Sequence, residues 1–545
     1  MAKFISRIIA FGATFSVGVV VNYFFLPAWS FNSGGFYAYL LFMALVAICF
    51  FGIVDRLAES YIPTIICVII TGIVLLTLII GWFTSCKLFH AMRYQSLIEI
   101  EEGNFTEEVS SNNISEIAVV DVATAQRLGD RTIASLENPS WYEVDDEYNL
   151  ILYNGKQYRL SPINYGGFFK YNKAKAAGIP GYVLVDAITQ EATLVTLENP
   201  IKYSPSAYFS YDLTRHLRNQ YANYVFGKSF FEIGEEGNPY WITSVKETNI
   251  GLFGGKTENS FIITDACTGE STEYSVDDLP EWVDHAFDLE YLMDMIYYNY
   301  EYINGFFNFS KTGVNRTSYY YSDSSFAGYN TTISSDGIVF YTGVTPANAA
   351  ESINGFILVS PRTGIVKYYS CFGAEESSAQ AAAEGLVQNL GYIATFPTVV
   401  NIDGAPTYFM TLKDGAGLIQ RYAFCNVENY SIVVQDSTLE GALNSYRVRI
   451  GTLDASAIDT SKDSIPTESN EEIEVETIST SGEITSLYTA EIDGYTYYLF
   501  TLNDTNLYMS SIENNYRQVL LQVGTNVNIE YVNESEIMLV KSIDF

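Results

Sequence analysis

Three long apolar runs open the chain, Phe4–Leu26, Phe36–Val54 and Tyr61–Phe83, and give way to shorter apolar stretches after residue 86. Each comes close to the ~20 residues that carry a helix across a bilayer core. The first run is too long for the apolar part of a cleaved signal, although Ala28-Trp29-Ser30 imitates a cleavage site, and two more runs follow it. Residues 1–86 are therefore expected to form three transmembrane helices. In the first, Gly12 with Ser16 and Thr14 with Gly18 stand four apart, a spacing that lets helices approach closely in lipid. Packing among the three spans is the simplest use of it. Lys87–Glu102 has a helical pattern, so 87–114 is expected to be a juxtamembrane helix and a polar connector.

From Ser115 the pattern changes to short strands and turns. LILYNGKQYRL, residues 150–160, places Asn154-Gly155 between two strand-like runs, a strong hairpin signal because both turn positions need positive φ. VLVDAITQEATLV at 183–195 is another strand–turn–strand. Related copies stand at 262–274, 357–369 and, more degraded, 422–433 with Asn429 at the turn. Asp186, Thr189 and Glu191 of the first copy resemble a polar site, but the third copy has Ser360 and Ile365 in place of the two acids. What persists is turn chemistry.

Helical segments fall between the hairpins: 204–226 with Ser204 as its cap, 280–300 opening at Pro280, and 374–392 closing at Gly391. A helix laid on an antiparallel sheet is an α+β layer. The alternation gives four such units, 115–203, 204–279, 280–373 and 374–452. Residues 453–474 are acidic and poor in apolar side chains, as in a flexible linker. Residues 475–545 hold about five strands, the first broken by Gly482 and followed by a turn at Asp493-Gly494. That is the pattern of a small β-barrel, OB-like or SH3-like.

Charge narrows the partners. Among 545 residues there are 29 Lys plus Arg against 63 Asp plus Glu, a net charge of −34. Nucleic-acid binding needs clustered cations, so no nucleic acid is expected as a partner. The same balance argues against a basic patch on anionic lipid. Lys3, Arg7 and Arg56 flank the spans on one side, Lys87 and Arg93 on the other. The richer side is cytoplasmic by the positive-inside rule, which puts the amino terminus in the cytoplasm and the large acidic region outside it. Of six cysteines, Cys267, Cys371 and Cys425 lie beyond the spans. Three cannot all pair with one another, and without a C-x-x-C spacing they are expected to be buried, reduced thiols.

Motifs for chemistry mostly fail on spacing. GLFGGKT at 251–257 leaves three residues where a phosphate loop needs four, and a strand-like run follows it. Lys311-Thr312-Gly313 has no accompanying S-x-x-K. His90, His216 and His285 are the only histidines, and none has a second histidine three or four residues away for zinc. Asp145-Asp146-Glu147 could hold a cation or serve glycoside chemistry, but adjacent carboxylates in a turn usually form a solvated face. The excess of tyrosine, 43 residues, includes the cluster Tyr297–Tyr302, which could stack on sugars or line an interface. Sequons at Asn308, Asn315 and Asn330 are unremarkable in a chain this rich in Asn, Ser and Thr. No catalytic, metal or cofactor-binding residue is assigned, and no cofactor is expected.

The D-x-x-T-x-E hairpin following a helix is similar to the PepSY-like module, a small α+β domain found outside bacterial cytoplasmic membranes. Residues 1 to about 450 resemble an uncharacterised family of large Gram-positive membrane-anchored proteins, through LGDR at 128–131, YSPS at 203–206, GNPYW at 237–241, IGLFGG at 250–255, PEWVD at 280–284, LGYIATFP at 390–397 and PTYFMTLKDGAGL at 406–418. The acidic linker and barrel depart from it. The resemblance implies protein–protein contact or restraint of a protease. The expectation is a non-enzymatic extracytoplasmic scaffold of the cell envelope, built as a stalk or platform. Its partners would be the lipid bilayer and a protein partner or a homo-oligomer. The alternatives are a wall-glycan or peptide-binding module and a modulator of an extracytoplasmic protease.

Overall fold

The computed structural model describes residues 2–58, 61–109, 117–320, 328–334, 337–348, 352–453, 478–492, 495–503, 506–511, 521–532 and 537–544. Contacts divide the chain into two units, Met1–Ala455 and Ser456–Phe545. The class is mixed α+β, with three N-terminal apolar helices followed by antiparallel sheets. The stretch expected to be a linker, 453–474, lies outside the described residues apart from Leu453, as does the turn at Asp493-Gly494.

Helices α1 (Ala2–Phe25), α2 (Gly34–Ala58) and α3 (Ile62–Thr84) are each long and apolar enough to span a membrane. α2 runs past Val54 and takes in Asp55 and Arg56, which the sequence pattern leaves in a loop. Asp55 is fully buried, and a carboxylate there must be paired. It ties three helix ends together: Arg7 Nη2 lies 3.2 Å from Oδ1, while the Thr64 backbone N–H and hydroxyl donate to Oδ2 at 3.0 and 2.8 Å. At the other end of the bundle, the Tyr39 hydroxyl donates to the Gly18 carbonyl (3.2 Å), so the small-residue stripe serves packing of α1 on α2.

α4 (Lys87–Gln95) follows α3, and the expected long exit helix stops there. Ile100–Glu102 is a strand, β1, because an unpaired sheet edge is available to it. A single helical turn, α5 (Phe105–Glu108), comes next.

Four sheets then repeat one plan. The first unit holds α6 (Val122–Gly129), β2 (Tyr142–Val144), β3 (Asn149–Tyr153), β4 (Lys156–Tyr165), α7 (Phe168–Ala174), β5 (Ile179–Asp186) and β6 (Ala192–Ile201). The second holds α8 (Leu213–Gln220), β7 (Phe226–Ile233), β8 (Pro239–Ile250), β9 (Gly254–Asp265) and β10 (Ser271–Ser275). In the third are α9 (Leu289–Glu301), β11 (Asn315–Thr317), β12 (Asn330–Ser334), β13 (Gly337–Pro346), β14 (Ser352–Val359) and β15 (Val366–Ala374), whose edge receives β1 in parallel. In the fourth are α10 (Glu376–Gly385), β16 (Ile393–Ala394), β17 (Thr398–Ile402), β18 (Ala405–Lys413), β19 (Ile419–Asn426), β20 (Val433–Asp436) and α11 (Leu439–Ile450). Three strands meander in each sheet, preceded by an edge. That edge is split into two short strands on one neighbour in the first, third and fourth sheets. In the second it is the single strand β7, with a register shift between Phe226 and Ser229.

The repeated hairpin explains how each unit starts. Asp186 Oδ1 accepts the N–H groups of Ile188 and Thr189 at 2.9 and 2.8 Å, and Asp265 Oδ1 those of Cys267 and Thr268 at 2.8 Å. Ser360 and Asn426 cap their own turns in the same way, through the N–H of Thr363 and of Asn429. The carbonyl of the next residue then catches the segment that enters the unit. Ala187 accepts from Val119 and Val120, Ala266 from Lys202 and Tyr203, Pro361 from Ala286 and Phe287, and Val427 from Ala374. The turn thus closes each unit on its own beginning. Asn154-Gly155 likewise forms the tight β3–β4 turn, with φ of 51° and 73°.

Three expected helices are shorter than their sequence patterns. Within 204–226 the helix begins at Asp212, whose carboxylate caps the Arg215 N–H at 2.7 Å, because Ser204 is spent on a turn through Ser206 and Phe209 takes φ 59°. Within 280–300 it begins after Asp288, because Arg362 holds the carbonyls of Leu279, Pro280, Glu281 and Val283 in an irregular loop. The 374–392 helix ends at Gly385, before turns that reach Gly391.

The units share cores and do not string out as a stalk. α9 lies between the second and third sheets, where Leu292 and Ile296 meet Phe261 and Ile357. α10 lies between the third and fourth, with Ala379 and Ala383 against Phe356 and Tyr408. The fourth unit returns to the first through Lys413 and Asp121, 2.5 Å apart. Burying large side chains such as Phe261, Phe356 and Phe424 contributes about 1.5–3 kcal/mol each.

In the second unit of the chain, β21 (Ile478–Ile492), β22 (Tyr495–Leu502), β23 (Asn506–Ser511), β24 (Asn526–Val532) and β25 (Ile537–Asp544) each pair with two others, so the pairing closes in a ring. β21 is unbroken at Gly482, pairing with β24 up to Glu483 and with β22 from Ile484. Phe500, Val527, Ile529 and Val540 fill the interior.

Candidate functional site

Two places concentrate long-range polar contacts: the seat of the sheets on the membrane helices, and a buried junction among the first three units. The seat centres on the β8–β9 hairpin, whose tip is the glycine-rich GLFGG at 251–255. Phe253 enters against α2 and α3, its ring 5.5 Å edge-on from Tyr37 and its N–H bonded to Ser85 Oγ at 2.9 Å. A Cβ on Gly254 would collide with the Tyr94 hydroxyl, and one on Gly251 with the Thr84 carbonyl. The missing side chains are what let the tip reach the helix ends. The run rejected as a phosphate loop is thus a docking hairpin, and its contacts were invisible in sequence because they are made across some 170 residues.

Helices on both sides complete the seat. Tyr94 of α4 donates to the Ser85 carbonyl at 2.7 Å and packs edge-on against Tyr298 of α9. Lys87 Nζ donates to the Tyr298 hydroxyl at 2.8 Å and lies 4.1 Å above its ring, and burial holds its ammonium pKa below the usual value. Arg93 donates to the Asn249 carbonyl (2.8 Å). On the far side Arg215 of α8 stacks 3.9 Å over the Tyr23 ring and donates to its carbonyl, while the Trp29 N–H donates to the Ala222 carbonyl. A cleft of about 310 Å³ between Arg93, Leu97, Asn249 and Thr257 marks the joint.

The buried junction comprises Glu232, Asp284 and His285. Glu232 Oε1 accepts the His285 backbone N–H at 3.0 Å and lies 2.8 Å from Nδ1, and both side chains are about 1% exposed. Asp284 Oδ2 accepts the Leu152 N–H at 2.6 Å, joining the first sheet. Burial raises Glu232 well above the carboxylate range and lifts Asp284 to about 7, with Glu232 adding its repulsion to the latter. Burial also lowers His285 to about 4. Every member is thus driven toward its neutral form. Arg159, also buried, donates to the carbonyls of Val120 and Tyr148 and to Thr331 of the third unit. Through the bonds of Asp284 to the first sheet and of Arg159 to the third, the junction joins three units.

The other sequence-marked residues are dispersed. Asp145 accepts from Asn164 and from the Glu147 N–H, while Glu147 pairs with Lys228 at 2.9 Å. Asp145 and Asp146 line an open groove of about 590 Å³ with Asp130 and Glu143. Among the described residues, no group of three His, Cys, Asp or Glu is placed to hold a metal ion. His216 contacts the Gly269 carbonyl at 2.6 Å and lies 4.3 Å from the Tyr203 ring, and His90 sits at a kink in α4. Lys311 pairs with Glu301, and the amides of Asn308 and Asn330 donate to the carbonyls of Thr312 and Phe396. Tyr297 stacks on Tyr320, while Tyr300 and Tyr302 are buried. Cys267, Cys371 and Cys425 are free thiols, pushed up by burial to about 11, 12 and 12. No family model and no curated protein matches the chain.

Proposed function

We propose that this protein is a non-enzymatic scaffold of the bacterial cell envelope, anchored by α1–α3 with its sheets outside the cytoplasm. The observation that carries this reading is the seat: three separate elements, α4 with α9, the β8–β9 hairpin and α8, fix one four-sheet body to the ends of the spans. A body held so rigidly presents its outer surface at a constant height and angle, as a platform for partners requires. The strongly acidic composition keeps such a surface soluble and selects against anionic polymers. Four copies of a helix joined to a meander, with the turn capped by Asp in two copies and by Ser or Asn in the others, support the likeness to PepSY-like modules, and hence a protein partner or a second copy as the ligand. The ring of β21–β25 fits an OB-like or SH3-like barrel, a fold suited to engaging that partner.

The sugar-stacking alternative is disfavoured, because the Tyr297–Tyr302 cluster is engaged within α4, α9 and Tyr320. The scaffold reading predicts that cross-linking in intact cells traps the protein in a discrete larger species with a reproducible neighbour or with itself. A protein that stays monomeric and without neighbours across cross-linker lengths would sink it.

A further inference from the structure

The loop after α9 carries INGFFNF, residues 303–309, with Phe306, Phe307 and Phe309 exposed, the last by 85%. Three phenylalanines in one solvent-facing loop are costly to leave in water, and such patches mark a binding surface. The loop also lies beside the spans. Tyr302 at its root is buried with Ala91, Tyr94 and Ile250, and Tyr94 bonds to the Ser85 carbonyl just after α3. Phe306 then stacks outward on Tyr302, its ring 6.1 Å away. Phe89 of α4, exposed itself, lies 4.9 Å from Phe83 at the end of α3. Exposed aromatic rings therefore stand both at the α3–α4 corner and in this loop, which Tyr302 roots in the packing of α4.

The loop is built to tolerate an apolar medium. Asn304 and Asn308 both donate to the Thr312 carbonyl, and Asn308 Oδ1 accepts the Thr312 N–H. The N–H groups of Gly305, Phe309, Lys311 and Val314 are bonded within the segment. Its one charge, Lys311, is paired with Glu301. These internal bonds lower the cost of placing the loop against apolar surroundings.

A second aromatic projection flanks the opposite side of the seat. Phe169 is 82% exposed at the start of α7, and Phe168 packs on Phe209. Phe209 holds a positive φ of 59°, a conformation costing about 1 kcal/mol or more for an aromatic residue, and still leaves its ring exposed. It stands three residues before the cap of α8, the helix whose Arg215 stacks on Tyr23 at the end of α1.

We infer that these two aromatic projections dip into the interfacial zone of the bilayer that α1–α3 cross, so that the protein rests on the leaflet at both sides of its spans. Continuity with the span ends names lipid as the occupant. The inference rests on membrane insertion of α1–α3 and is independent of the scaffold reading. Aromatic projections also suit a body whose net charge of −34 denies it a broad basic attraction to lipid, and Lys170, Lys173 and Lys175 follow Phe169 in sequence where a headgroup could be met.

The full-length protein, reconstituted in phosphatidylcholine–phosphatidylglycerol vesicles, tests this with a benzophenone amino acid in place of Phe169, Phe307 or Phe309, and of the exposed Tyr430 in the fourth unit as a control. Irradiation should give lipid adducts by mass spectrometry at 169, 307 and 309 at least tenfold above those at 430. Adduct yields equal to the control would overturn the inference. So would cross-links at these positions to a second copy in place of lipid.

Discussion

At the scale of single residues, the most informative group is buried Glu232 and His285 with half-buried Asp284, because its titration can be read. Asp284 has its pKa raised to about 7 in the folded chain, against ~3.9 for an unperturbed aspartate. The folded state therefore holds its proton more tightly, so this residue's contribution is full below pH ~4 and is lost as pH rises to about 7. Glu232, raised by burial, acts in the same direction. His285, lowered to about 4, acts oppositely, destabilising the fold as pH falls from ~6.5 toward 4. Asp284→Asn keeps an acceptor for the Leu152 N–H but removes one falling limb. Its thermal midpoint in mild detergent should lose less than the wild type's between pH 5 and 7.5. Identical slopes in the two proteins would show that Asp284 does not titrate as described. Composition shows that histidines are few, but not that one of them pairs with a glutamate 53 positions away. The only sequence sign was Asp284 beside His285 in a segment that also looked helical.

Among elements, the β8–β9 hairpin tip decides how the sheets meet the spans. In Gly254→Val the new side chain must displace the Tyr94 hydroxyl or the Ser85 backbone. Hydrogen exchange should then rise by about tenfold or more in residues 85–95 and 249–256, while β18 and β19 of the fourth unit keep their protection. Unchanged exchange at the seat would show that the hairpin is not held there by close approach. The turn residues make a contrasting case. Asp186, Asp265, Ser360 and Asn426 all cap their turns, so the hairpin repeat was legible from turn chemistry, although in the fourth copy the cap is Asn426 and Asn429 is the residue it holds. The helix starts were not, because Ser204-Pro205 and Pro280 carry good local signals that tertiary bonds override. Ser204 is drawn into a turn, and Arg362 gathers the carbonyls of the 279–283 loop.

For the whole molecule, α1–α3 set which parts share a side of the membrane. The end of α1, the start of α2 and the end of α3 all meet the sheet-bearing body. The proposed orientation puts Tyr430, on the turn after β19, outside the cell. With the half-buried Cys86 and Cys267 changed to serine, Tyr430→Cys should react with a membrane-impermeant maleimide in intact cells within minutes, against a low background from the buried Cys371 and Cys425. Labelling that appears only after the membrane is permeabilised would reverse the topology and remove the envelope role with it.

The sequence by itself determined the local and the repetitive: three helices apolar and long enough to span a membrane, by length of apolar run, the Asn154-Gly155 turn by its φ requirement, and the recurring strand–turn–strand hairpins by their turn residues. Each rests on neighbours within a few positions, or on a count of apolar residues, and these survive without tertiary context. Only the tertiary structure decided that the four units close into one body, that GLFGG is a docking tip and that Glu232 meets His285. Those outcomes depend on burial and on bonds between distant segments, where desolvation makes each polar group's partner compulsory and no spacing along the chain reveals who that partner is.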